Sequence, residues 1–317
     1  MTMDRRDFLG FSGLGLTTLG FWSQAAGASE GKSAIKVGMC DWNVVGEDNR
    51  GGTCRPELIP RAKEAHLEGI QVSVGSHPNS IPLRDKAVRQ KYLELGKQHG
   101  IAFHSVAAGG ILNSIPLKSE PQSAMYVIDA LEAAAALGAK NILIAFFGNA
   151  DLRVSDAMGQ YRNISKGSFK SYELDSKGVS RIVEALKQMV PRAEDLGVAL
   201  GLENTLTAEQ NLEIIDRIGG SPIVQVYYDV GNSTGSGYDV PTEIRLLGNK
   251  RICEIHLKDS GLPLLGTPKG KVDFKGAAEA CREIKYDKWF VLETSGREKQ
   301  FIEDTRANVE FAQKTFS

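Results

Sequence analysis

The sequence predicts a single-domain α/β chain closed into a (β/α)₈ barrel of the TIM type. Three observations lead there. After residue 34, short β-rich runs alternate with longer segments of helical periodicity, eight times over. Most of the short runs are Val, Ile, Leu and Phe without strict polar alternation, as parallel strands buried on both faces should be. Several helix-to-strand turns carry a glycine where a helix should stop, at His99-Gly100-Ile101, Leu137-Gly138-Ala139 and Leu196-Gly197-Val198. Eight such units in roughly 285 residues fit a barrel. A doubly wound open sheet would want a Gly-rich phosphate loop after its first strand. Met39-Cys40-Asp41-Trp42-Asn43 is not one, and Gly51-Gly52 comes too late and lacks the spacing.

The elements follow in order. Strand Ile35–Cys40 leads to a helix near Pro56–His66, and Ile70–Val74 leads to Arg84–His99. Ile101–Val106 precedes Gln122–Leu137, and Asn141–Phe146 precedes Lys177–Leu196. Val198–Glu203 is paired with Ala208–Ile218, Ile223–Tyr228 with Thr242–Leu247, and Arg251–Leu257 with Phe274–Ile284. Trp289–Glu293 and a helix near Phe301–Lys314 close the chain. One connection is oversized. From Gly148 to about Ser176 the chain is polar and follows the fourth strand, so it should lie over the C-terminal mouth as a lid or as a solvated insertion.

Composition narrows the function. The 317 residues carry 38 basic and 39 acidic side chains, a net charge of −1, which leaves no basic excess to grip nucleic acid. Hydrophobic residues at 42% are too many for a disordered chain. Residues 1–28 read as a twin-arginine export signal: Arg5-Arg6, a Gly-rich apolar run over 10–22, then Ala26-x-Ala28. The expectation is a periplasmic or otherwise exported protein, with residues 29–317 as the barrel and no stable membrane insertion after cleavage. The four Cys include no CxxC pair. They read as buried small hydrophobes, with Cys40–Cys54 the one pairing worth testing.

The chemistry sits in the second half. Strand five ends at Glu203, strand six runs into Asp229, strand seven carries His256 near its end, and strand eight ends at Glu293. In each, an apolar run stops at one residue able to bind a metal, on the face where barrel active sites are built. One strand-terminal carboxylate signifies little, because helix caps also recruit Asp. Four on consecutive strands need four coincidences. Three carboxylates packed at one mouth would repel unless a cation neutralised them. Three oxygen ligands and one imidazole suit Mn²⁺ or Mg²⁺ best, with Co²⁺ or catalytic Zn²⁺ as alternatives.

The segments Leu202-Glu203-Asn204, Asp229-Val230-Gly231-Asn232, Ile255-His256-Leu257-Lys258-Asp259 and Val291-Leu292-Glu293 resemble the xylose-isomerase-like barrel superfamily of sugar phosphate isomerases/epimerases. The resemblance covers roughly residues 35–315 and includes the connection from Gly270 to Trp289. It implies that Glu203, Asp229, His256 and Glu293 are metal ligands and that Glu203 and Glu293 are the proton-transfer pair. Well-studied members often have His three residues after the strand-six Asp. Here that position is Asn232, which can bond a sugar hydroxyl but cannot titrate near neutrality.

Further substrate contacts are expected at Lys258, His104, Trp42 and Asn204. Lys258 follows His256 by two and could share its side of the strand. His104 is placed at the end of strand three, facing the mouth. Asn43, Phe147 and His77 are weaker candidates, and Arg297 with Lys299 is the nearest approach to a phosphate cradle. The predicted activity is a metal-dependent isomerase or epimerase moving a proton beside a carbonyl of a free sugar, keto-sugar or polyol. Alternatives are a lyase or dehydratase acting on a 3-keto-glycoside or keto-inositol, and a silent sugar-binding barrel. Exposed helix faces are consistent with a homo-oligomer without requiring one.

Overall fold

The computed structural model describes residues 35–48, 52–165, 170–259, 261–294 and 297–317. The export signal predicted over 1–28 lies outside the described residues. Eight parallel strands close in sequence order into one barrel: β1 Lys36–Cys40, β2 Gly69–Ser73, β3 Ala102–Ala107, β4 Asn141–Ala145, β5 Ala199–Glu203, β6 Val224–Asp229, β7 Ile252–Leu257 and β8 Trp289–Leu292. β1 pairs with β8 from Lys36↔Trp289 to Met39↔Leu292, which completes the ring. Each strand is nearly all buried, which explains why the sequence runs lack alternation.

Ten helices are described: α1 Ile59–Glu64, α2 Lys86–His99, α3 Gly109–Leu112, α4 Ala124–Leu137, α5 Ser176–Leu196, α6 Ala208–Ile218, α7 Val230–Ser236, α8 Val240–Arg251, α9 Phe274–Glu283 and α10 Phe301–Phe316. Gly100, Gly138 and Gly197 end α2, α4 and α5 in the left-handed region, as predicted. The first helix is shorter than expected. Pro56–Leu58 forms a 3₁₀ turn and the α-helix begins only at Ile59. The short helices α3 and α7 were not anticipated, because four and seven residues show too little periodicity to be read. The main core lies between strands and helices. A smaller one inside the barrel joins Ala107, Leu143, Ala145, Tyr227 and Cys253.

The oversized connection is a paired arm. Bridges Arg153↔Leu174, Ser155↔Tyr161 and Asn163↔Tyr172 tie it to itself. Arg153 lies 3.5 Å from the Tyr161 ring centre and 5.1 Å from that of Tyr172, while pairing with Asp151. Gln210 donates to the Tyr172 carbonyl and fastens the arm to α6. Cys40 and Cys54 do not pair. The Cys54 thiol donates to the Ser73 carbonyl, whereas Cys40 points into the barrel. No helix among the described residues is long and apolar enough to cross a membrane.

Candidate metal centre at the barrel mouth

Each of four neighbouring strands delivers one donor to the C-terminal mouth. Glu203 and Asp229 are the last residues of β5 and β6. His256 stands opposite Asp229 in the β6–β7 register. Glu293 directly follows β8 and is held in line by its backbone N–H bonding the Leu257 carbonyl at 3.0 Å. One ligand atom from each residue lies within 4.8 Å of all the others. Nδ1 of His256 is 3.0 Å from Glu203 Oε1, 3.3 Å from Glu293 Oε2 and 3.7 Å from Asp229 Oδ2. Glu203, Asp229 and His256 are buried, and Glu293 is half-buried.

Burial of three carboxylates in one place demands positive charge. The protein supplies part of it. Lys258 Nζ sits 2.8 Å from Asp229 Oδ2 and 2.7 Å from Glu293 Oε2. Burial pushes Glu203 above the usual carboxylate range, against the pull of His256. Burial also acts on Glu293, but His256 and Lys258 outweigh it and hold that carboxyl well below its ordinary value. Burial works against charge on His256, yet the acidic groups pressed around it, Cys40 and Glu203 first, push its pKa well above that of a free imidazole.

The donor set fits a divalent cation. Asp229 spends Oδ1 on the Asn232 amide at the start of α7, at 2.8 Å. Its Oδ2 is buried and receives no aligned hydrogen bond, despite the Lys258 contact. It faces the other three donors, where an ion would satisfy it. Oxygen-rich donors with one imidazole favour hard divalent ions.

A cavity of about 410 Å³ opens beside the cluster. Glu203, Glu293, Asn232, Lys258, Trp42 and Phe147 all line it. Trp42 belongs to a 3₁₀ turn after β1 and meets the His256 ring edge-on at 6.4 Å.

Two predicted contacts lie elsewhere. β3 continues three residues past His104, so this side chain sits below the mouth rather than at it. There it bonds Glu254 at 2.9 Å and stacks on Trp289 at 4.7 Å. Asn204 turns away from the cavity, exchanging side-chain hydrogen bonds with Asn211 and accepting from the Leu206 amide. His77 is exposed, and Arg297 is engaged with Asp304. None of the described residues of the 148–176 arm lines the cavity.

The sequence reading missed residues from the other half of the ring. Ser73, Asn113, Leu143 and Ala145 line the cavity, and Gln71 supports His256 from behind. The one available signal was the polar pair Gln71 and Ser73 inside the otherwise apolar run Ile70–Val74.

A family profile described as xylose isomerase-like TIM barrel matches residues 59–315. A curated protein of Escherichia coli, provisionally named L-ribulose-5-phosphate 3-epimerase, is 34% identical over 137 residues, covering 38% of this chain and 47% of that protein. The match therefore spans about half the length of that relative. The 2-epi-5-epi-valiolone 7-phosphate 2-epimerase of Actinoplanes sp. is 25% identical over 246 residues, covering 75% of this chain and 79% of that protein. Among solved structures, D-psicose 3-epimerase from Clostridium cellulolyticum superposes with a TM-score of 0.67 at 14% identity, over 89% of this chain and 100% of that one. At that identity the likeness concerns the fold.

Proposed function

We propose that this chain, which belongs to the xylose isomerase-like TIM barrel family, is a divalent-metal-dependent sugar isomerase or epimerase that moves a proton beside a carbonyl group. The observation that carries the reading is the convergence of Glu203, Asp229, His256 and Glu293 within 4.8 Å at the edge of a cavity. These four residues would hold the ion. When bound, it supplies Lewis acidity toward a substrate oxygen and charge that offsets the three carboxylates.

The remaining chemistry belongs to the side chains. Glu203 and Glu293 approach from β5 and β8, with β6 and β7 between them. One takes the proton from the carbon next to the carbonyl, and the other returns it. Lys258 and Asn232 face the cavity with donors for substrate oxygens, while Trp42 and Phe147 offer apolar surface to C–H faces. The two curated relatives are named as epimerases, which supports this reaction class. Both names also specify phosphorylated sugars. For this chain we propose a sugar or polyol without phosphate, because the cation lining the cavity among the described residues, Lys258, is already paired with two carboxylates.

Incubation with Mn²⁺ and a panel of keto-sugars in D₂O tests the reading. The wild type is expected to incorporate deuterium at the carbon beside the carbonyl. Glu203→Gln and Glu293→Gln should keep the fold and lose at least about a hundredfold in exchange rate. Undiminished exchange in either variant would remove the two-carboxylate mechanism.

A further inference from the structure

Gln71 is an amide in the middle of β2, completely buried inside the barrel. A buried amide is costly unless each of its polar atoms is used. Its neighbours in register are Cys40 on β1 and Ser105 on β3, so three adjacent strands place polar side chains at one level of the ring. Gln71 Nε2 donates to Ser105 Oγ at 3.2 Å. That bond turns Oε1 across the barrel toward β7, where it lies 3.2 Å from His256 Nε2 and accepts from Cys40 Sγ at 3.3 Å. The faces of the imidazole are also covered. The Tyr227 ring lies 4.5 Å away, tilted by 58°, and Trp42 meets it edge-on.

This arrangement has a chemical consequence. With Oε1 as its neighbour, Nε2 must carry a hydrogen to make the bond. A neutral ring then has its lone pair on Nδ1, the nitrogen that faces Glu203, Asp229 and Glu293. A reversed amide would present N–H to Nε2 and move the ring hydrogen to Nδ1, spoiling it as a ligand. In the orientation present, Ser105 Oγ takes up the Gln71 Nε2–H and leaves Oε1 for Cys40 and His256.

We infer that Gln71, anchored by Ser105, is the positioning residue that keeps His256 in its ligand form and thereby sets the affinity of the centre for a divalent ion. The inference rests on the reading of Glu203, Asp229, His256 and Glu293 as a metal centre. It goes further by assigning a role to an amide on the opposite side of the barrel that contacts neither ion nor substrate.

Binding of Mn²⁺ to the full chain, measured calorimetrically without substrate, tests it. Gln71→Leu keeps the volume and removes the acceptor. It should fold with a lowered melting temperature, because His256 Nε2–H loses its acceptor, and bind Mn²⁺ about 10- to 100-fold more weakly. Gln71→Glu restores an acceptor oxygen at the same place and should bind within a few-fold of the wild type or more tightly. A purely space-filling role would let Leu succeed as well as Glu. Equal affinity in wild type and Gln71→Leu would overturn the inference, as would a Gln71→Glu chain as weak as Gln71→Leu. Should Gln71→Leu fail to fold, Ser105→Ala decides: several-fold weaker binding supports the anchor, and unchanged binding rejects it. A wild-type chain that takes up no Mn²⁺ removes the metal reading and this inference together, whereas tight binding by both wild type and Gln71→Leu removes the inference alone.

Discussion

Lys258 carries the clearest energetic consequence at the scale of single residues. Its ammonium bridges Asp229 and Glu293, two of three carboxylates that would otherwise face one another. Burial opposes its charge, but Asp229 and Glu293 raise its pKa far above that of a free lysine. Lys258→Met should therefore destabilise the metal-free protein by on the order of 2 kcal/mol. That is below the ~3–5 kcal/mol for breaking a fully buried pair, since 23% of the Lys258 side chain stays exposed. Added Mn²⁺ should recover more stability in the variant than in the wild type, because the ion then replaces the positive charge that Lys258 had supplied to Asp229 and Glu293. Thermal melts in chelator and in Mn²⁺ read this directly, and coincident melting curves in chelator would refute it. Residues of this kind were legible where a polar group ends an apolar strand, as with Glu203 and Glu293. His104 and Asn204 were not, since strand length and loop direction decide where a side chain points. Gln71 left almost no trace, because a single amide in an apolar run has no signature until the strand across the barrel is known.

Neighbouring elements are tied to one another by hydrogen bonds to a buried carboxylate side chain. Glu243 on α8 is buried and accepts from the Ala208 amide at the first turn of α6 and from the Tyr228 hydroxyl on β6. It adds an external cap to a helix that already has the Thr207–Gln210 capping box. Burial outweighs these hydrogen bonds and pushes Glu243 up to about 7, from an ordinary value of 4.5. The folded chain thus holds a proton that the unfolded chain has lost between those two values. Stability from this group is complete below about 4.5, declines as pH rises, and is gone above about 7. Glu243→Gln should flatten the fall in unfolding free energy across that window, as read by denaturant melts at several pH values. Parallel wild-type and variant curves would contradict the sign. All eight strands were legible because burial on both faces writes itself as uninterrupted apolar runs. The arm after β4 was legible as an insertion but not as a paired structure, since its order comes from Arg153 packed on Tyr161 and Tyr172 rather than from periodicity.

Across the whole molecule, ring closure converts sequence order into spatial adjacency. β5 to β8 are consecutive in the chain and neighbours in the barrel, so four residues scattered between 203 and 293 become one cluster. Charge is divided across the mouth accordingly. The charged residues that line the cavity, among those described, come from the β5–β8 side, and the β1–β4 side contributes uncharged ones, polar Ser73 and Asn113 beside apolar Trp42, Leu143, Ala145 and Phe147. On the proposed reading, a substrate held there would meet the two glutamates on one side and an uncharged wall on the other. The architecture was fully legible because it depends on a repeated pattern. On the β1–β4 side only Trp42 and Phe147 were legible, and Leu143 and Ala145 were not, because small and aliphatic residues look the same in a pocket wall as in a core. Anomalous diffraction from crystals soaked in Mn²⁺ tests the central claim most directly. The account predicts a single strong peak bounded by His256 Nδ1 and the carboxylates of Glu203, Asp229 and Glu293. A peak elsewhere, or none at saturating Mn²⁺, would contradict it.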